Sequence, residues 1–220
     1  MPDSAILRVS DLSIQYPISI GVVRAVEKVS FTLADGEALG LVGESGCGKS
    51  TLGLSLLSLL RPPGQVTGGS IRYRGTDVLS LDQRSLLALR GRNISMIFQN
   101  PLTSLNPLLT VERHFLETIW FHDPSMPRAK ALAGVSKMLA TLGIEGKRLR
   151  EYPHQLSGGM RQRIMIGLAL IMNPDILIAD EPTTSLDVIV EAGFTELLAH
   201  LRRAYKLSVI FITHNLGLVA

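Results

Sequence analysis

The sequence holds a single cysteine, Cys47, which excludes an internal disulfide and any cysteine-rich zinc or iron–sulfur site built within it. Its five histidines are scattered without metal-ligand spacing. Long apolar runs are missing too. Residues 164–172 fall far short of the roughly 20 a membrane span needs, despite a mean hydropathy of +0.27. No basic stretch followed by an apolar segment opens the chain, so no secretory signal is read. Internal repeats, heptads and low-complexity linkers are absent. Charge of one sign is scarce: 22 basic against 19 acidic residues leave +3, with a pI near 9.2. So small an excess does not argue for nucleic-acid binding, although it is compatible with anionic lipid nearby. These exclusions leave a cytosolic-type protein that does not itself cross a bilayer.

What is present is folded protein, 46% hydrophobic and 19% charged over 220 residues, enough for one domain or a core with a small lobe. Segments 6–9, 12–14 and 29–33 are short, rich in β-branched residues and separated by turn signals. Ala38–Val42 is an apolar run of the kind a strand buried on both faces needs, and a helix is predicted over 49–60. A strand pair follows at 66–80, a short helix at 82–90 and a strand at 94–98. Residues 101–155 read as helical, with breaks at 123–124 and 126–127. A helix over 160–172, a buried strand at 175–179, a helix over 188–205 and a buried strand at 208–213 complete the pattern. Buried strands alternating with helices predict an α/β fold with a parallel sheet. The early run of strands predicts an antiparallel layer beside it, and the helical middle an inserted lobe. The predicted core is 1–98 with 173–220, and the lobe 99–172.

Gly43, Glu44, Ser45, Gly46, Cys47, Gly48, Lys49 and Ser50 fit G-x-x-x-x-G-K-[ST] between a predicted strand and helix. Glycines let successive backbone N–H groups curl around phosphate oxygens, and the helix that continues through Thr51 adds the positive end of its dipole. Lys49 is placed to reach the β and γ phosphates, and the Ser50 hydroxyl to ligate Mg²⁺. The same dipole favours a Cys47 thiolate, although a small residue without chemical duty explains Cys47 better. Downstream, an apolar strand ends in Asp180 and Glu181, whose side chains point to opposite sides and so need not share a task. Asp180 suits Mg²⁺ held through water, and Glu181 suits polarising an attacking water. Ser157, Gly158 and Gly159 open a helix. Ser157 reads as its N-cap, and the two glycines expose N–H groups to an anion. A second phosphate-facing helix end is hard to use on one nucleotide, and it makes sense if it faces the nucleotide of another copy.

The string LSGGM at 156–160, lying between the phosphate loop and the ILIADE strand, resembles the signature of ABC-type ATPases. The resemblance implies that Tyr16 stacks on adenine and that Gln99 contacts Mg²⁺ and water. It implies a D-loop at Ser185, Leu186 and Asp187, and a switch histidine, His214, at the γ-phosphate. Alone, Tyr16 also reads as an edge-strand aromatic, Gln99 as a strand cap and His214 as a core histidine. Residues 98–107 together with Tyr152, Pro153, His154 and Gln155 are similar to the ATPase subunits of bacterial peptide and nickel importers. In that family the segment after Gln99 receives a helix of the membrane subunit, which would make Leu102, Leu105, Leu108 and Leu109 contact residues. Core packing of the lobe explains these leucines nearly as well.

The resemblance implies an ATPase subunit at the cytoplasmic face of the cell membrane, peripheral, energising import of oligopeptides or dipeptides with ATP and Mg²⁺. Implied partners are a second ATPase subunit, identical or paralogous, transmembrane permease subunits and, indirectly, an extracytoplasmic solute-binding protein; no nucleic acid is expected. The alternatives are nickel import or a non-transport ABC ATPase acting on nucleic acid or ribosomes. Asn215 stands where the family often has aspartate. The sequence ends soon after His214, so a C-terminally truncated chain is expected.

Overall fold

The computed structural model describes residues 5–99, 105–183, 188–215 and 217, with side chains at 188–192 left out. Strands β1 (Ala5–Ile18) and β2 (Gly21–Ala34) form one long antiparallel hairpin where three short strands were expected. Register shifts between Val9, Leu12 and Ile14, with Asp11 at φ 48, absorb the residues that break the alternation, so the strand runs through them. β4 (Gln65–Tyr73) pairs with β1, and the short β5 (Thr76–Asp77) with β4, in the order β2-β1-β4-β5.

The second sheet is parallel. It contains β3 (Ala38–Val42), β6 (Ile94–Ile97), β7 (Ile176–Asp180) and β8 (Ser208–Thr213), in the order β3-β8-β7-β6. Every residue of β6, β7 and β8 is buried, and the alternation of side chains divides them between two cores. Ile176, Ile178, Ile210 and Ile212 face the antiparallel layer, while Leu177, Ala179, Val209 and Phe211 face the helices. β3 departs from expectation. It is half-exposed because β8 is its one partner among the described strands, which puts it at the edge.

Helix α1 (Lys49–Ser55) ends earlier than predicted, because Ser58 turns the chain into the left-handed region at φ 50. Arg90 closes that end, donating from Nε to the Leu57 carbonyl at 2.9 Å and from Nη2 to the Ser58 carbonyl at 2.8 Å. Arg90 follows α2 (Gln83–Leu89), which Asp82 caps by accepting from the Ser85 N–H. α3 (Val111–His122), α4 (Arg128–Thr141) and α5 (Gly158–Leu170) lie between β6 and β7, and pack through Phe115, Val135, Leu139 and Ile164, all fully buried. Gly167 brings α5 against α3, since a Cβ there would sit 2.9 Å from the Phe115 ring. α6 (Val188–Tyr205) covers the same core with Phe194, Leu198 and Leu201.

The parallel register pairs Val42 with Thr213, Asp180 with Ile212 and Ile97 with Ala179. All four strands therefore finish along one edge, and the segments that follow them leave from the same line, where ligands of open α/β sheets bind.

Candidate functional site

The loop after β3 curls around its own lysine. Lys49 Nζ donates to the carbonyls of Gly43 at 2.8 Å and Glu44 at 2.7 Å, and lies 3.7 Å from Cys47 Sγ. Gly48, at φ 97, precedes α1 without any side-chain cap, and no acidic residue occupies the first turn. The first N–H groups of α1 therefore have no side chain of their own to bind, which is what an anion requires. Val23, Arg24 and Ala25 of β2, residues 45–51, Gln99 and Glu181 line a cleft of about 350 Å³ over this loop.

Ser50 Oγ donates to Asp180 Oδ1 at 2.9 Å, joining the start of α1 to the end of β7. Burial pushes the Asp180 carboxyl up from the ordinary carboxylate range. The nearby Glu181 carboxylate adds to this, opposed by the Ser50 hydroxyl and the Lys49 ammonium. A 4% exposed carboxylate beside a hydroxyl is the hard-oxygen pair that suits Mg²⁺ sharing its shell with substrate phosphates. Among the described residues no cluster of three or more His, Cys, Asp or Glu could hold a metal by itself, so a cation here depends on such shared ligation.

Glu181 leaves β7 in the left-handed region at φ 42, its N–H fixed by the Ile212 carbonyl at 2.9 Å. That turn sends its side chain away from Asp180's task. Glu181 Oε2 accepts from Gln99 Nε2 at 2.8 Å, and Oε1 lies 3.6 Å from His214 Nδ1. The His214 side chain is 58% exposed, which removes the core-histidine reading. The loops after β3, β6, β7 and β8 thus bring Lys49, Ser50, Gln99, Asp180, Glu181 and His214 to one place.

Other predicted residues lie elsewhere. The Tyr16 ring packs half-buried against Gly64, and its cross-strand neighbour Val23 lines the cleft in its stead. Ser157 caps α5 by accepting from the Met160 N–H at 3.3 Å. A Cβ on Gly158 or Gly159 would meet nothing within 4 Å. Ser157 and Gly159 line a separate hollow with Gly193 and Phe194 of α6 and contribute nothing to the Lys49 cleft. Leu105 is buried at 4% exposure and belongs to the core, Leu109 is half-buried, and Leu108 is 82% exposed. Leu102 and the Ser185, Leu186 and Asp187 motif lie outside the described residues. Arg24 and Ala25, which sequence reasoning missed, enter the cleft only because the hairpin is long enough to reach the loop.

Comparison with known proteins agrees with this geometry. Residues 26–184 match the ABC transporter family. The chain is 48% identical over 218 residues to the dipeptide transport ATP-binding protein DppD of Bacillus subtilis, covering 98% of this chain and 65% of that protein. It is 45% identical over 221 residues to the oligopeptide transport ATP-binding protein OppD of Salmonella typhimurium, covering 100% of this chain and 65% of that one. The chain therefore spans about two thirds of the length of these curated relatives, just under that fraction. Among solved structures, the dimeric post-hydrolysis ATP-binding cassette MJ0796 bound to ADP and Pi superposes with a TM-score of 0.83 at 28% identity, covering 96% of this chain and 89% of that one. With a family match across most of its length and the phosphate loop, Asp180 and Glu181 gathered at one sheet edge, the chain belongs to the ABC transporter family.

Proposed function

We propose that this chain is the ATP-binding and ATP-hydrolysing part of an importer of dipeptides or oligopeptides, working as one of two ATPase subunits. One observation carries the reading. Glu181 is presented at the mouth of the phosphate-loop cleft by Gln99, beside the Ser50–Asp180 pair, while the Ser157–Gly158–Gly159 helix end opens elsewhere. The relatives' names as dipeptide and oligopeptide transport ATP-binding proteins support the substrate class.

In this reading the loop N–H groups and Lys49 cradle the triphosphate. Lys49 exchanges the Gly43 and Glu44 carbonyls for phosphate oxygens. Ser50, Asp180 and Gln99 would hold Mg²⁺, which supplies charge neutralisation across the β and γ phosphates when bound. Glu181 accepts a hydrogen bond from water and orients it for in-line attack on the γ-phosphorus. His214 lies on the other carboxylate oxygen, within reach of the same region. Val23 lines the side of the cleft assigned to the adenine, and Tyr16 would stack there once its ring leaves Gly64. The Ser157, Gly158 and Gly159 N–H groups serve the γ-phosphate of the partner's nucleotide, so ATP contacts both copies and joins them. Segment 99–172 acts as the lobe that carries this end. Closing and reopening of the pair would drive permease subunits at the cytoplasmic face of the membrane, with a solute-binding protein engaged only through them. Among the described residues no helix is long and apolar enough to cross a membrane.

The test is phosphate release from Mg-ATP together with uptake of a labelled dipeptide and a labelled oligopeptide by cells carrying the gene. Wild type is expected to hydrolyse ATP, and Lys49→Ala to lose ATP binding and uptake of at least one of the two peptides. Undiminished ATP affinity in Lys49→Ala would refute the phosphate-loop assignment. Unchanged uptake of both peptides would refute the importer.

A further inference from the structure

Gln162 lies on α5, one turn beyond Ser157, and is 3% exposed. A buried amide requires a partner, and Gln162 Nε2 donates to the Pro182 carbonyl at 2.7 Å. Pro182 is itself buried and immediately follows Glu181. Glu181 adopts φ 42, although a residue preceding proline prefers extended backbone, so its surroundings must hold that turn. The holding groups can be named. On the upstream side the Ile212 carbonyl of β8 takes the Glu181 N–H at 2.9 Å. On the downstream side Gln162 takes the Pro182 carbonyl. Gln99 then fixes only the carboxylate tip.

We infer that Gln162 is a positioning residue for Glu181, acting through the Pro182 carbonyl, and that it joins the beginning of α5 and the Glu181 turn into one mechanical unit. This rests on the hydrolysis reading above and goes beyond it. The helix whose first residues serve the partner's nucleotide is tied within its own chain to the carboxylate serving its own nucleotide. A shift of α5 on pairing is therefore transmitted to Glu181 by one side-chain hydrogen bond, without passing through the phosphate loop.

The deciding variant is Gln162→Met, which keeps length and burial but removes the donor. Steady-state kcat and KM, equilibrium ATP affinity and thermal unfolding are measured on the full chain, in wild-type and Glu181→Gln backgrounds. A displaced Glu181 is expected to lower kcat by about 100-fold, with ATP affinity within about twofold of wild type. In the Glu181→Gln background the same substitution is expected to cost nothing further, because the residue it acts through is already disabled. An unchanged kcat, an equal loss in both backgrounds, or a parallel loss of ATP affinity would overturn the inference. Should Gln162→Met fail to fold, Gln162→Glu replaces it. Its carboxyl donates to Pro182 only when protonated, so its kcat relative to wild type should recover as pH falls, and a flat ratio would overturn the inference. A wild-type chain that binds ATP without hydrolysing it would instead defeat the hydrolysis reading, and this inference with it.

Discussion

At Gly48 the backbone takes φ 97, and a Cβ would stand 2.0 Å from the Ala25 carbonyl oxygen of β2. No side chain could yield, because the obstacle is main chain of the neighbouring layer. Gly48→Ala is therefore expected to cost at least about 1 kcal/mol of stability and to spoil the loop, as read by urea unfolding and ATP titration. Gly158 is the contrast. Its surroundings are open and it begins a helix, where alanine is tolerated. Gly158→Ala should leave the stability and ATP affinity of the isolated chain unchanged while weakening ATP-dependent pairing, seen as a lower dimer fraction in sedimentation. Two glycines in similar motifs thus differ in what constrains them: one meets its own fold, the other is expected to meet a second molecule.

Between elements, a polar strut links the two sheets. Tyr73 of β4 donates its hydroxyl to Asp175 at the foot of β7, Arg74 Nη2 reaches Asp175 Oδ1 at 3.2 Å, and Asn93 Nδ2 donates to the Tyr73 hydroxyl at 3.2 Å. Burial opposes the charge on Asp175, but the hydrogen bonds from Tyr73 and Arg74 outweigh it and hold the carboxyl below its usual range. A depressed carboxylate contributes stability that is fully present above its unfolded pKa and is lost as pH falls through the folded one. The stability difference between wild type and Asp175→Asn should accordingly be constant from pH 7 to about 5 and shrink below about 4, followed by urea unfolding at each pH. Arg90→Ala leaves the Leu57 and Ser58 carbonyls without that donor, and is expected to cost about 1–3 kcal/mol in the same assay. Strands and helices with strong periodicity were legible in the sequence: Val188–Tyr205 and Ser208–Thr213 lie where predicted. The hairpin of two 14-residue strands was not, because a bulge reads locally as a turn and only pairing with β2 and β4 shows that the strand continues. The half-exposed state of β3 was hidden as well, since an apolar run does not report how many neighbours a strand has. Motifs singled out Lys49, Asp180 and Glu181 in the sequence, and the structure brings them to one sheet edge, where their roles are proposed. Arg24, Gln162 and Arg90 act through contacts across 20 residues or more, which no local pattern carries.

For the whole molecule, the central feature is a separation. The phosphate loop, Gln99, Asp180, Glu181 and His214 stand at the carboxyl edge of the parallel sheet. Ser157 and Gly159, at the start of α5, line a different hollow against α6. In the proposed reading a single chain so arranged holds two half-sites, and a pair related head to tail would complete both, with ATP as part of each interface. A ligand shared by two copies would stabilise such a pair by mass action, and its hydrolysis would release it. The most direct measurement is sedimentation of the Glu181→Gln variant in saturating Mg-ATP. The expected result is a stable dimer that dissociates when ATP is replaced by ADP, and a species that stays monomeric under saturating Mg-ATP would contradict the account.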